Sequence, residues 1–186
     1  MLVLAANPWS VSSVSRGLIM KTAVACLSAL FAFAFIAQPV DAQTRIIRHP
    51  AETGQALTVY VPDGWTNTAD PDNNLIIAAP TNAIAFSLSL VADEAGYTLD
   101  QFARSALDEA KAQAVTPTGE DMIPPFAGSR YAAKMDMNGM SLSLDMVIVK
   151  ADDGKVASAT MITGPQTTAE ERAIGEMILR SVRIVR

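Results

Sequence analysis

The chain has 186 residues, is 50% apolar and 18% charged, and carries a formal net charge of -5 with one histidine and one cysteine. That hydrophobicity excludes an intrinsically disordered protein, and the acidic balance excludes a basic nucleic-acid binder. A single cysteine excludes a disulfide scaffold and multi-cysteine metal sites, and the length suits one domain.

The apolar excess is concentrated at the start. Residues 1–42 hold 28 apolar residues, or 67%, whereas residues 43–186 are 45% apolar, ordinary for a globular domain. Lys21 precedes an uncharged run over 22–37, and Pro39 stops any helix before Val40-Asp41-Ala42. The run falls short of the roughly 20 apolar residues that a bilayer span needs. Val40 and Ala42 suit the positions that signal peptidase reads. The segment 1–42 is therefore expected to be an N-terminal extension and a cleaved Sec-type signal peptide, with its h-region at 22–37 and cleavage after Ala42. A retained anchor is the alternative. Met20, directly before Lys21, makes a better start than Met1. Cys26 faintly suggests a lipoprotein site, but Ala23 stands where such sites prefer leucine. The expected compartment is the bacterial periplasm or beyond, with no integral membrane span after cleavage. What remains is cysteine-free with a net charge of -6, which suits an oxidising compartment and argues against nucleic acid or anionic lipid as a bulk electrostatic partner.

Residues 43–54, with His49, read as a flexible arm, and 55–186 as a single globular domain. Leu57–Val61 alternates as a strand and stops at Pro62-Asp63-Gly64. A polar loop over 66–74 follows. Leu75–Ala79 and Ala83–Val91 complete an expected meander of three strands. Thr98 with Gln101 has capping-box spacing, and Leu99, Phe102, Ala103, Ala106, Leu107 and Ala110 form one helical stripe. The region 115–128 holds Pro117, Pro124 and Pro125 and reads mostly as loop. Ser129–Met137 and Met140–Lys150 alternate around Asn138-Gly139, the signature of a type I′ hairpin. That register pairs Met137 with Met140 and Met135 with Leu142. Asp152-Asp153-Gly154 turns into a strand over 155–163. Thr167 or Thr168, with Glu170 or Glu171, caps a last helix that carries Ile174, Met177 and Ile178 inward. The tail 181–186 adds an edge strand. The order of hairpins and two helices predicts an α+β layered domain on a mainly antiparallel sheet.

The pattern resembles the Mog1/PsbP-like family, including its small exported bacterial members. The resemblance rests on Val59-Tyr60-Val61-Pro62-Asp63-Gly64-Trp65, Phe86–Val91, Thr98-Leu99-Asp100-Gln101-Phe102, the meander from Gly128 to Thr163, and Ile178-Leu179-Arg180-Ser181-Val182. It spans residues 55–184. It implies an α/β/α sandwich, and proteins that mostly bind other proteins and share no catalytic motif, so it transfers no functional residue.

The chemistry-bearing residues are sparse. With His49 alone, nucleophilic triads and the common zinc sites lack their parts. No nucleophile elbow, phosphate loop or dinucleotide fingerprint is present. Asp70-Pro71-Asp72-Asn73-Asn74 begins like a calcium loop but has Leu75 and Thr81 where glycine and glutamate belong. Met135, Met137 and Met140 offer soft ligands for Cu(I), but they share an apolar stripe with Tyr131, Ala133, Leu142, Leu144, Met146 and Ile148, which reads as core. Arg130, Lys134, Asp136, Ser141, Ser143 and Asp145 form the other face. Trp65 is read as packed over a sheet edge in preference to an exposed anchor. No catalytic, cofactor-binding or metal-ligating residue is assigned, and no cofactor is expected. The expected function is a non-enzymatic accessory or protein-binding module of the bacterial envelope, with another envelope or secretion protein as partner. The alternatives are a hydrolase-type enzyme using a carboxylate pair, and a periplasmic binder of a small ligand or of calcium or copper.

Overall fold

The computed structural model describes residues 45–51, 54–93 and 96–186. The leader, Cys26 and the junction after Ala42 lie outside the described residues. In chain order the elements are β1 (Arg45–His49), β2 (Ala56–Val61), β3 (Thr66–Ala69), β4 (Leu75–Ala78), β5 (Ile84–Ala92), α1 (Leu99–Glu109), β6 (Gln113–Ile123), β7 (Phe126–Met137), β8 (Met140–Lys150), β9 (Lys155–Thr163), α2 (Ala169–Ser181) and β10 (Arg183–Val185). Among the described residues no helix is long and apolar enough to cross a membrane.

Seven strands form one antiparallel sheet in the order β3-β4-β5-β9-β8-β7-β6, and a second, three-stranded sheet runs β1-β2-β10. Because strand side chains alternate, the large sheet builds two cores. On one face Tyr131, Ala133, Met135, Leu142, Leu144, Met146 and Ile148 pack with Ala103 and Leu107 of α1. On the other, Ile77, Phe86, Leu88, Val147, Val149 and Met161 pack with Leu57, Val59 and Val61 of β2 and with Ile178 and Leu179 of α2. The result is an α+β protein of three layers: α1, the antiparallel sheet, then α2 with the small sheet. This is the α/β/α arrangement implied by the family resemblance.

Local chemistry explains the element ends. Thr98 and Thr168 each accept from the backbone N–H three residues on, and Gln101 and Glu171 reach back to the capping amide, so both helices start in a full capping box. Asn138 and Gly139 have φ of 52° and 79°, as a type I′ turn requires. They set the register Met137 opposite Met140 and Met135 opposite Leu142. Gly175 of α2 is buried where the helix crosses the sheet; a Cβ there would collide with Ile84 Cδ1 and stand 2.9 Å from Met161 Sδ.

Five expectations are corrected. The expected arm at 43–54 contains a strand, because Ile47 packs on the core while all of β1 pairs with β2. The loop over 66–74 contains β3, paired residue for residue with β4. The three-strand meander is β3-β4-β5; Leu57–Val61 belongs to the other sheet. The prolines of 115–128 do not prevent β6, because it is an edge strand with register shifts between Gln113 and Thr116 and between Pro117 and Gly119, the setting in which proline is tolerated. Met177 is 48% exposed, and Leu179 takes the inward place expected of it.

Candidate interaction surface

The outward face of the three-stranded sheet is built by alternation. Leu57, Val59 and Val61 of β2 point into the core, so Thr58 and Tyr60 point out. Antiparallel pairing places opposite residues on the same face. Arg48 of β1 lies opposite Thr58, and Arg183 of β10 lies opposite Thr58 from the other side. One row across the sheet therefore reads Arg48–Thr58–Arg183. The adjoining row pairs Ile46 with Tyr60, and Ile46 is 76% exposed.

Both guanidinium groups are held by backbone carbonyls. Arg48 Nη1 donates to Pro50 O at 2.9 Å and Nη2 to Gly54 O at 2.5 Å. Arg183 Nη1 donates to Arg180 O at 2.6 Å and to Val182 O at 2.8 Å, at the C-terminus of α2, where a cation also meets the negative end of the helix dipole. Carbonyl contacts fix a guanidinium in place. The Ser181 hydroxyl accepts from the Tyr60 N–H at 3.0 Å and donates to Ile178 O, tying α2 to the middle strand.

A second charged group serves the fold. Arg130 of β7 makes a fork to Asp145 of β8, with Nε to Oδ1 at 2.6 Å and Nη2 to Oδ2 at 2.5 Å. It also reaches Glu176 of α2 at 3.1 Å and Asp121 of β6 at 3.4 Å. The hydrogen bonds to Asp145, and its charge with that of Glu176, outweigh desolvation and raise the guanidinium pKa above its ordinary value. Three carboxylates thus converge on one cation, joining three strands and a helix.

The residues singled out in the sequence fall elsewhere. His49 is 8% exposed at the end of β1, with Nε2 2.6 Å from Asn73 O. Asp70 Oδ1 accepts from the amides of Asp72 and Asn74, and both Asp70 oxygens contact Asn74 Nδ2; these bonds close the loop with its own backbone. Met135 is buried against α1, with Met137 and Met140 packed beside it, so the stripe is core. Trp65 is buried with its ring centroid 6.1 Å from that of Phe86. The Arg48–Thr58–Arg183 row was not legible: its members come from a segment read as an arm, a strand and a tail, and only their pairing brings them together. The one local hint was a tail suited to an edge strand.

No family model matches the chain, and no characterised protein matches it by sequence. Solved structures do resemble it. One is the solution structure of cyanobacterial PsbP (CyanoP) from Synechocystis sp. PCC 6803, at 8% identity over 82% of this chain and 99% of that one, with a TM-score of 0.47. Another is LpqN, involved in cell envelope biogenesis of Mycobacterium tuberculosis, at 16% identity over 77% and 91% of the two chains, with a TM-score of 0.46. A third is from Bacteroides thetaiotaomicron, at 12% identity and a TM-score of 0.47; it is matched over 70% of this chain, which spans 45% of that longer one.

Proposed function

We propose that the chain is a non-enzymatic accessory module of the bacterial cell envelope that binds another protein through the outward face of β1-β2-β10. The Arg48–Thr58–Arg183 row beside exposed Ile46 carries this reading. Arginine and tyrosine are the residues that interface cores favour. Strand backbone and carbonyl contacts hold them in place, which lowers the ordering cost of association. The envelope location rests on Lys21, the run over 22–37 and Ala42.

Two measurements test it. Fractionation with N-terminal sequencing of the exported protein should return Gln43 as the first residue. A photo-crosslinking amino acid at position 46 should yield a discrete adduct in cells, absent when the same group replaces Lys134, an exposed residue of β7. A protein that stays in the cytoplasm, or the lack of any adduct specific to position 46, sinks the reading.

A further inference from the structure

We infer that the open edge of β6 takes an added strand from another protein, one that sets a lysine or arginine opposite Glu120 and an apolar residue opposite Met122. This goes beyond the reading of β1-β2-β10 and concerns a different part of the molecule. β6 is the last strand of the seven-stranded sheet, and an open strand edge is a template for pairing that proteins ordinarily blunt. The first half of β6 is blunted. Pro117 has no N–H to offer, and the register on β7 breaks between Gln113 and Thr116 and between Pro117 and Gly119. From Gly119 to Ile123 the pairing is regular and neither device is present.

The backbone of this half faces the right way. Met122 N–H donates to the Asp121 carboxylate at 2.8 Å instead of to β7. Residues of an antiparallel strand alternate between those that bond a given neighbour and those that do not. Glu120 and Met122 therefore turn their backbone groups to the open side, and Asp121 and Ile123 turn theirs to β7. Side chains alternate too. Asp121 meets Arg130 and Ile123 joins the core on the α2 side, which leaves Glu120 and Met122 together on the opposite face. Glu120 is exposed and pairs with no cation among the described residues. Met122 is 51% exposed. A strand laid antiparallel along this edge bonds Glu120 N–H, Glu120 O and Met122 O, while Asp121 keeps the Met122 N–H satisfied. Two of its residues, spaced j and j+2, then share one face with Met122 and Glu120.

Charge selects the occupant. Opposite charges on facing residues of two strands stabilise the pairing, and like charges oppose it. A second copy paired about a twofold axis at Glu120 sets that carboxylate against its own copy, and an axis at Asp121 does the same for Asp121, so self-pairing is disfavoured. A segment from another protein, with a cation opposite Glu120 and an apolar side chain opposite Met122, satisfies both positions at once. Gly119–Ile123 offers only a short run of pairing, so the contact is small and transient.

The test titrates the full-length protein with a capped heptapeptide, acetyl-Thr-Thr-Val-Thr-Lys-Thr-Thr-amide, and follows the protein's amide shifts. Its valine and lysine are two apart and so fall opposite Met122 and Glu120 on one face. Saturable shifts centred on Glu120 and Met122 are expected. Replacing the peptide's lysine by glutamate should weaken binding about fivefold, and Glu120→Lys in the protein should reverse that preference. Setting valine and lysine side by side, on opposite faces, should weaken binding, and N-methylation of the lysine, which removes its backbone N–H, should abolish it. Circular dichroism of Glu120→Lys separates lost binding from lost fold. An absence of saturable shifts, shifts centred elsewhere, equal binding of the N-methylated peptide, or an unchanged preference in Glu120→Lys overturns the inference. Self-association that moves the same amides with no peptide present makes the occupant a second copy and overturns it as well. The position-46 adduct reports on β1-β2-β10 separately, so either reading can fail while the other stands.

Discussion

Gly175 and Ile84 are in direct opposition: α2 crosses β5 so closely that the glycine has no room for a Cβ on the side of the isoleucine Cδ1. Alanine would raise helix propensity by about 1 kcal/mol, but forcing an atom into a packed core costs roughly 1–3 kcal/mol. Because Ile84 Cδ1 is the far end of a side chain, Gly175→Ala should be mildly destabilising, and Gly175→Val should lose about 2 kcal/mol or more. Urea unfolding measures both; a stabilised Gly175→Val would show that the crossing is looser than described.

Arg130 is the cation on which Asp145, Glu176 and Asp121 converge. Arg130→Met leaves three partly buried carboxylates facing one another, and should lower unfolding free energy by roughly 1–3 kcal/mol. Arg130→Lys should recover only part, because a point charge cannot reproduce the fork to Asp145. Full recovery with lysine would mean that charge alone, without the fork, holds the cluster.

Gln55 presents the opposite case. Its side chain is buried, and among the described residues neither side-chain amide atom has a hydrogen-bond partner. A buried unpaired polar group costs roughly 1–3 kcal/mol, so Gln55→Met, similar in length, should raise the melting temperature. A clear fall would reveal a partner that the amide finds in solution.

Acid should destabilise the protein through two carboxylates in particular. Burial of Asp93 opposes its ionisation, but hydrogen bonds from the Tyr97 N–H at 3.0 Å and Lys150 Nζ at 3.1 Å outweigh it and hold the pKa below the usual value. The Thr81 hydroxyl, then the Thr168 amide and hydroxyl, lower that of Glu171. Both folded values lie below the unfolded ones, so the unfolded chain binds more protons as the pH drops. The stabilisation is complete above the ordinary carboxylate range, near pH 4–5, and is lost as the pH falls through the folded values. Melting temperature should hold from pH 7 to about 5.5 and decline below about 4.5. The pair Asp93→Asn and Glu171→Gln should make that decline shallower; an unchanged acid limb would assign it to other groups.

Trp65 is 6% exposed beneath the turn that follows β2. In a Trp9→Phe background, where it is the single tryptophan, its emission should be blue-shifted and resist acrylamide until the protein unfolds. Strong quenching in the folded state would place the ring at the surface.

Patterns that repeat within one element were legible. The capping boxes at Thr98 and Thr168, the Asn138-Gly139 turn and the methionine stripe are each set by neighbours a few residues away, and each stands where the spacing put it. Pairings between distant segments were not. Nothing near Arg45–His49 announces β2 as its neighbour, and Pro117 of β6 misleads because tolerance of proline depends on being at a sheet edge, a property of the whole fold. Met177 shows the same limit on a helix: periodicity gives a stripe, but the width of the buried arc is fixed by what α2 lies against. The proposed interaction surface belongs wholly to this second kind, being made by register across three strands.

That register has a consequence for timing. β1 is the first described strand and β10 the last, and both add to β2. The β10–β2 contact is the one that joins distant segments, and the loop entropy between them must be offset before the pairing rewards it. The row that holds both guanidinium groups therefore needs β10 in place on β2. A molecule in which β10 has not paired with β2 lacks Arg183 from that row.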